Sequence, residues 1–73
     1  MVQNIDVLLY MDGKGWMTRE SVMENFDINR TAANNHIKKL SKGKICYQGN
    51  IYKMKKRKKG RKKLYKIEKQ KTI

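Results

Sequence analysis

The sequence predicts an α+β fold: three helices, then a C-terminal antiparallel β-hairpin or three-stranded meander. Three observations carry this. Apolar residues recur at helical spacing up to Leu40, the period changes to two from Ile45, and within 53–63 only Met54 and Gly60 are not Lys or Arg. A chain of 73 residues makes one domain. A domain of this size buries roughly 60% of the surface its unfolded chain exposes, so most apolar residues are needed for the core. The domain is expected to span residues 1–68, with 69–73 a loose basic tail.

The first helix is expected over residues 2–11. Val2, Ile5, Leu8 and Leu9 share a face, Asp6 suits the positive end of the helix dipole, and the Gly13 and Gly15 loop ends it. Trp16 and Met17 are too few for a strand and are expected to close one edge of the core, with base stacking the functional alternative for Trp16. Thr18 is the N-cap of a second helix, with Glu20 in its first turn and Val22, Met23 and Phe26 on its buried face. A turn at Asp27 and Ile28 leads into the third helix, capped by Asn29. There Ala33, Ile37 and Leu40 form one apolar stripe. Two short helices joined this closely make a helix-turn-helix unit over 18–40.

The outward face of the third helix carries Thr31, Asn34, Asn35 and Lys38, with Arg30 at its edge. Small polar and basic residues on an exposed helix fit a DNA major groove, where Asn pairs with adenine and Arg with guanine in a bidentate way. The competing account is an ordinary solvated helix face.

Beyond Gly43 the alternation of Ile45 and Tyr47 with Cys46 and Gln48 marks a strand, and Gly49-Asn50 a hairpin turn. A second strand is expected over 51–57 and a third over 64–68. Centring the turns on Gly49-Asn50 and Lys59-Gly60 pairs Tyr47 with Tyr52, Ile45 with Met54, Met54 with Tyr65 and Tyr52 with Ile67. All six then lie on one face, which would cover the helices. The same register opposes Lys56 to Lys63, Arg57 to Lys62 and Lys53 to Lys66. Directly opposed like charges destabilise a sheet. A partner that neutralises them, nucleic-acid phosphate above all, accounts for such a hairpin. A basic tip that only keeps the protein soluble is the bland alternative.

The charge is divided sharply. The chain has 19 Lys+Arg against 6 Asp+Glu, a formal net charge of +13. Lys14 and Arg19 are the only cations before residue 29, and Glu68 is the only acid after it. The basic half starts with the third helix, a pattern expected of a polyanion binder.

No catalytic residue, metal site or cofactor is expected. The single His36 lacks a second ligand at metal spacing, the single Cys46 has no partner, and no phosphate-binding glycine loop occurs. His36 is expected to pack partly buried on the third helix, and Cys46 to point away from the core. No apolar run approaches the length of a membrane span, and the chain is expected to be cytoplasmic, nucleoid-associated or, for a viral protein, in the host cytoplasm.

The helix, helix, helix, basic-hairpin order resembles the winged helix-turn-helix family of small prokaryotic, archaeal and viral transcription regulators. The resemblance covers residues 2–68 and is most specific at Ile28, Asn29, Arg30, Thr31, Ala33, His36, Ile37, Lys38, Lys39 and Leu40, followed by Gly43-Lys44-Ile45. Asp27 stands where the family usually has Gly, and Met23 where Ala is common. The resemblance implies double-stranded DNA as the partner, with helix 29–41 in the major groove and Arg30, Thr31, Asn34, Asn35 and Lys38 facing the bases. It implies a wing on phosphate or in the minor groove, using Lys39, Lys53, Lys55, Lys56, Arg57, Lys58, Lys59, Arg61, Lys62 and Lys63. The alternative is a sequence-independent binder that coats DNA or associates with RNA or the ribosome. No membrane partner is expected, and the chain is expected to be a monomer or weak homodimer.

Overall fold

Three helices pack on one face of a three-stranded antiparallel sheet in a computed structural model that describes the backbone of residues 2–72 and the side chains of residues 2–70. The first helix, α1 (Asn4–Met11), begins two residues later than the apolar pattern suggests. The Gln3 backbone N–H donates to the Asp6 carboxylate at 2.8 Å and fixes the start there. Its buried residues are Val7, Leu8 and Met11. Val2 and Ile5 only flank this core, and Leu9, expected inside, is 46% exposed. The stripe follows the three-four spacing of 4, 7, 8 and 11, and Leu9 lies a further 100° or so around the helix.

The second helix, α2 (Arg19–Phe26), is capped as expected: the Thr18 hydroxyl accepts the Ser21 N–H at 3.4 Å. It buries Val22, with Met23 and Phe26 half-buried. The Phe26 ring meets Tyr10 edge to face at 5.4 Å, tying α2 to α1. The helix closes through Asp27 in the left-handed conformation, φ 52° and ψ 50°, and the Ile28 N–H reaches back to the Met23 carbonyl at 3.1 Å. This six-to-one closure needs positive φ at Asp27. The third helix, α3 (Arg30–Leu40), starts where the Asn29 side chain accepts the Ala32 N–H at 2.8 Å. Ala33, Ile37 and Leu40 are buried as the stripe requires. His36, half-buried, donates from Nδ1 to the Asn4 side-chain oxygen at 2.6 Å and fastens α3 to α1.

The sheet contains β1 (Lys44–Tyr47), β2 (Asn50–Lys59) and β3 (Lys62–Thr72) in sequence order. Both hairpins differ from the expected register by two residues. The first turn is Gln48-Gly49, with φ 47° and 78°, so Ile45 pairs with Tyr52 and Tyr47 with Asn50. A two-residue turn with positive φ at both central residues matches the right-handed twist of the flanking strands. The second turn is Gly60-Arg61, with φ 63° at Gly60, so Met54 pairs with Ile67 and Lys56 with Tyr65. A shift of two preserves the side-chain face, whereas a shift of one would invert it. Tyr52, Met54, Tyr65 and Ile67 therefore still face the helices and are buried, with Ile45 and Tyr47 packed alongside.

The shift does change the charge pairs. Lys53 lies opposite Glu68 rather than Lys66 on the β3 side, and the opposed cations are Lys58 with Lys63, Lys59 with Lys62 and Lys55 with Lys66, joined across β1 by Lys44 with Lys53. β3 also runs to Thr72, through most of the residues expected to form a loose tail. A break in register between Ile51 and Tyr52 lets it follow β2 to its start. Ile73 lies outside the described residues.

The loop between α1 and α2 seals the free edge of β3. Met17 and Tyr65 exchange backbone hydrogen bonds at 2.9 and 2.8 Å, and Asp12 bridges to Ile67. Met17 packs against the core, but Trp16 does not close it: neighbours along a strand point to opposite faces, and Trp16 is 37% exposed on the side away from the helices.

Asp27 and Gln48 are the two non-glycine residues with positive φ among the described residues, and Asp27 is the one that closes a helix. Asp27→Gly removes the Cβ penalty of the left-handed conformation and is expected to raise stability by about 0.5–1 kcal/mol, while Asp27→Val lowers it by more. Urea denaturation measures both, the expectation being a higher midpoint with an unchanged slope for the glycine variant. A lower midpoint would show that the Asp27 side chain, not its backbone, matters here.

Candidate nucleic-acid interface

Burial of the sheet's core face decides where the hairpin's cations point. Lys56 opposes Tyr65 and Lys58 opposes Lys63, so these lysines extend the helix-facing side of β2 and β3 beyond the core. They face α3 across an open cleft of about 510 Å³, lined on the helix side by Asn34, Ile37, Lys38 and Ser41. Leu64 and Tyr65 contribute to its wall. A second cleft of about 380 Å³ brings Arg30 of α3 and Thr18, Arg19 and Glu20 of α2 together with Arg61, Lys62 and Lys63 at the hairpin tip.

The residues expected to read bases share one exposed side of α3. Arg30, Thr31, Asn34, Asn35 and Lys38 are all exposed. At about 100° per residue they span an arc of roughly 140°. Thr31 and Asn35 stand at the crest, farthest from the buried stripe. Lys38 and Lys39 lie in the last turn, where the helix dipole favours cations, whereas Arg30 lies at the first position, where it does not. Of the expected phosphate contacts, Lys56, Lys58 and Lys63 face the helix and Arg61 and Lys62 form the tip. Lys53 and Lys55 point away from α3; Arg57 also lines the first cleft, although its guanidinium lies over Trp16 on the outer face; Lys59 is exposed beside the tip, and Lys39 is exposed on α3 outside both clefts.

Two residues outside the expected set bear on the hairpin and α3, one at the cleft and one on the opposite face of the sheet. Arg19 donates from Nη1 to the Asn34 side-chain oxygen at 3.0 Å and lies 3.6 Å from the Glu20 carboxylate. Its Nε is buried without a hydrogen-bond partner. The bond pins Asn34 against α2, with its amide oxygen occupied. A bidentate Asn–adenine pair needs that oxygen, so it must share the oxygen with Arg19 or displace it. Among the described residues Asn35 has no competing partner. One signal pointed to Arg19: it is one of only two cations before residue 29.

The other is Glu68. Its carboxylate accepts from Lys66 at 3.2 Å and pairs with Lys55 at 3.6 Å. The Lys66 hydrogen bond, opposed by partial desolvation and reinforced by the Lys55 charge, holds the carboxyl below the usual Glu range. Its stabilising contribution is therefore present above the ordinary Glu pKa and is lost only as pH falls through the lowered value.

Among the described residues no group of His, Cys, Asp and Glu converges on a metal site, and no helix is long and apolar enough to cross a membrane. Cys46 is exposed on the sheet face away from the helices. No family model, curated protein or solved structure matches the chain.

Proposed function

We propose that this protein binds double-stranded DNA in the manner of a winged helix-turn-helix regulator, with α3 in the major groove and the β2–β3 hairpin on the phosphate backbone or in the minor groove. The observation that carries the reading is the cleft between α3 and the hairpin. Asn34, Ile37, Lys38 and Ser41 of α3 form one wall and Lys56, Lys58 and Lys63 the other, while Thr31 and Asn35 stand exposed on the crest of α3 beside it. Affinity would come from the phosphates, and sequence discrimination from the crest of α3.

The roles divide further along α3. Asn35 and Thr31 at the crest, with Arg30 at the first turn, are the base readers, and Asn34 chiefly fixes α3 to α2 through Arg19. Regulation of transcription is the cellular role this mode of binding implies. A sequence-independent role has one observation in its favour: the opposed Lys58–Lys63 and Lys59–Lys62 pairs attract any polyanion.

Selection from randomised duplex DNA at about physiological salt separates the two readings. An enriched motif of about 5–6 base pairs, or two copies about 10 base pairs apart for a dimer, is expected. Binding without enrichment would leave the sequence-independent reading. On the selected site Asn35→Ala is expected to cost about 1–3 kcal/mol and far less on random DNA. Asn34→Ala should instead lower thermal stability and weaken both DNAs alike. Similar losses on both DNAs for Asn35→Ala would remove it as a reader.

The phosphate contacts are tested by salt. With about five phosphates neutralised, log K against log salt should fall with a slope near −4 or −5. Replacing Lys56, Lys58 and Lys63 together by Gln should reduce that slope by about 2 to 3 and weaken all sequences similarly. A slope that does not change would place the phosphates elsewhere.

A further inference from the structure

The sheet has a second exposed face, and the proposed duplex contact does not use it. Its most unusual member is Trp16, the chain's only tryptophan. A small domain short of apolar surface would be expected to bury its largest side chain, yet Trp16 is 37% exposed. The Met17–Tyr65 bridge sets it beside Lys66 on the side of the sheet opposite α3. The Arg57 guanidinium lies 5.5 Å from the ring centre and the Lys66 ammonium 5.7 Å. Lys53 and Lys55 continue the same face along β2, and its acid, Glu68, is already matched by Lys55 and Lys66.

We propose that this outer face binds an unpaired, single-stranded nucleic-acid segment, with Trp16 as the stacking platform for one base and Arg57, Lys66 and Lys53 as the cations that meet its backbone. Aromatic rings set in a cationic groove are the chemistry that holds single strands without reading their sequence. A duplex cannot use the ring, because its bases are stacked inside the helix and show only their edges. A base that settles on the indole replaces one cation contact with a stack, and the freed cation turns to the phosphate of that nucleotide. Alternate residues along a strand stand about 6.6 Å apart, so Lys53, Lys55 and Arg57 form a ladder suited to an extended backbone. The two faces of one hairpin would then hold different nucleic-acid forms, duplex on the α3 side and single strand on the other.

Because Trp16 is the sole tryptophan, its fluorescence reports on the site directly. The full chain is titrated with a single-stranded oligothymidine and with a duplex of the same length. Saturable quenching by the oligothymidine is expected, with little change for the duplex. Binding of labelled DNAs is then compared by anisotropy. Trp16→Leu should weaken the oligothymidine about 5- to 150-fold, the range one stacked base usually contributes. Trp16→Phe should keep most of the affinity, and duplex binding by both should stay within about twofold of the parent. If Trp16→Leu fails to fold by circular dichroism, Lys66→Gln keeps the ring and should still weaken the oligothymidine selectively. Equal quenching by both DNAs, equal losses on both, or unchanged oligothymidine binding would each overturn the proposal. So would a blue shift on phosphatidylserine vesicles with no response to oligothymidine, which would assign the face to anionic lipid. None of these results depends on whether the duplex shows an enriched motif.

Discussion

Burial of Tyr52, Met54, Tyr65 and Ile67 against the helices decides which way every other side chain of the hairpin points. Once these four face inward, strand alternation leaves no freedom for the lysines between and beyond them. Those in step with the core project past its edge towards α3, and those out of step project from the opposite side. The hairpin is longer than its core. Its distal half keeps like charges opposed, with only backbone pairing and a tight glycine turn holding the strands together.

The helical half supports this through few but directional contacts. His36 to Asn4, Arg19 to Asn34 and Tyr10 to Phe26 each join a different pair of helices. None is worth much beside the apolar core, since a net hydrogen bond contributes about 1 kcal/mol. Their effect is orientation. Arg19 in particular ties the start of α2 to Asn34 on α3.

Much of this was legible in the residue order, and the exceptions have identifiable causes. The caps at Thr18 and Asn29, the buried stripe of α3 and the inward face of the sheet all follow from local chemistry. The turns were read one step too late in the first hairpin and one step too early in the second. Gly49 marks its turn whether it occupies the first or second central position, and the sequence does not distinguish the two. Because a one-residue displacement of a two-residue turn moves the register by two, the face is kept while the charge pairs change. Leu9 and Trp16 differ for another reason: apolar character predicts burial only on average, and Leu9 lies on the outer side of α1 while Trp16 lies on the outer side of the loop that bridges to β3. The Arg19–Asn34 contact joins residues on different helices, which no local pattern reports.

The Met17–Tyr65 and Asp12–Ile67 bridges also bear on how the chain folds as it is made. Leu8, Val22 and Ile37 share one core with Tyr65 and Ile67, which come from the last strand. While a ribosome has released only the helices, that core lacks its cover, and isolated helices of 8 to 11 residues are marginal in water. The helices and the hairpin therefore become stable together, after β3 has emerged. A shortened chain ending after α3 would expose an uncovered apolar face rather than a minimal version of the domain.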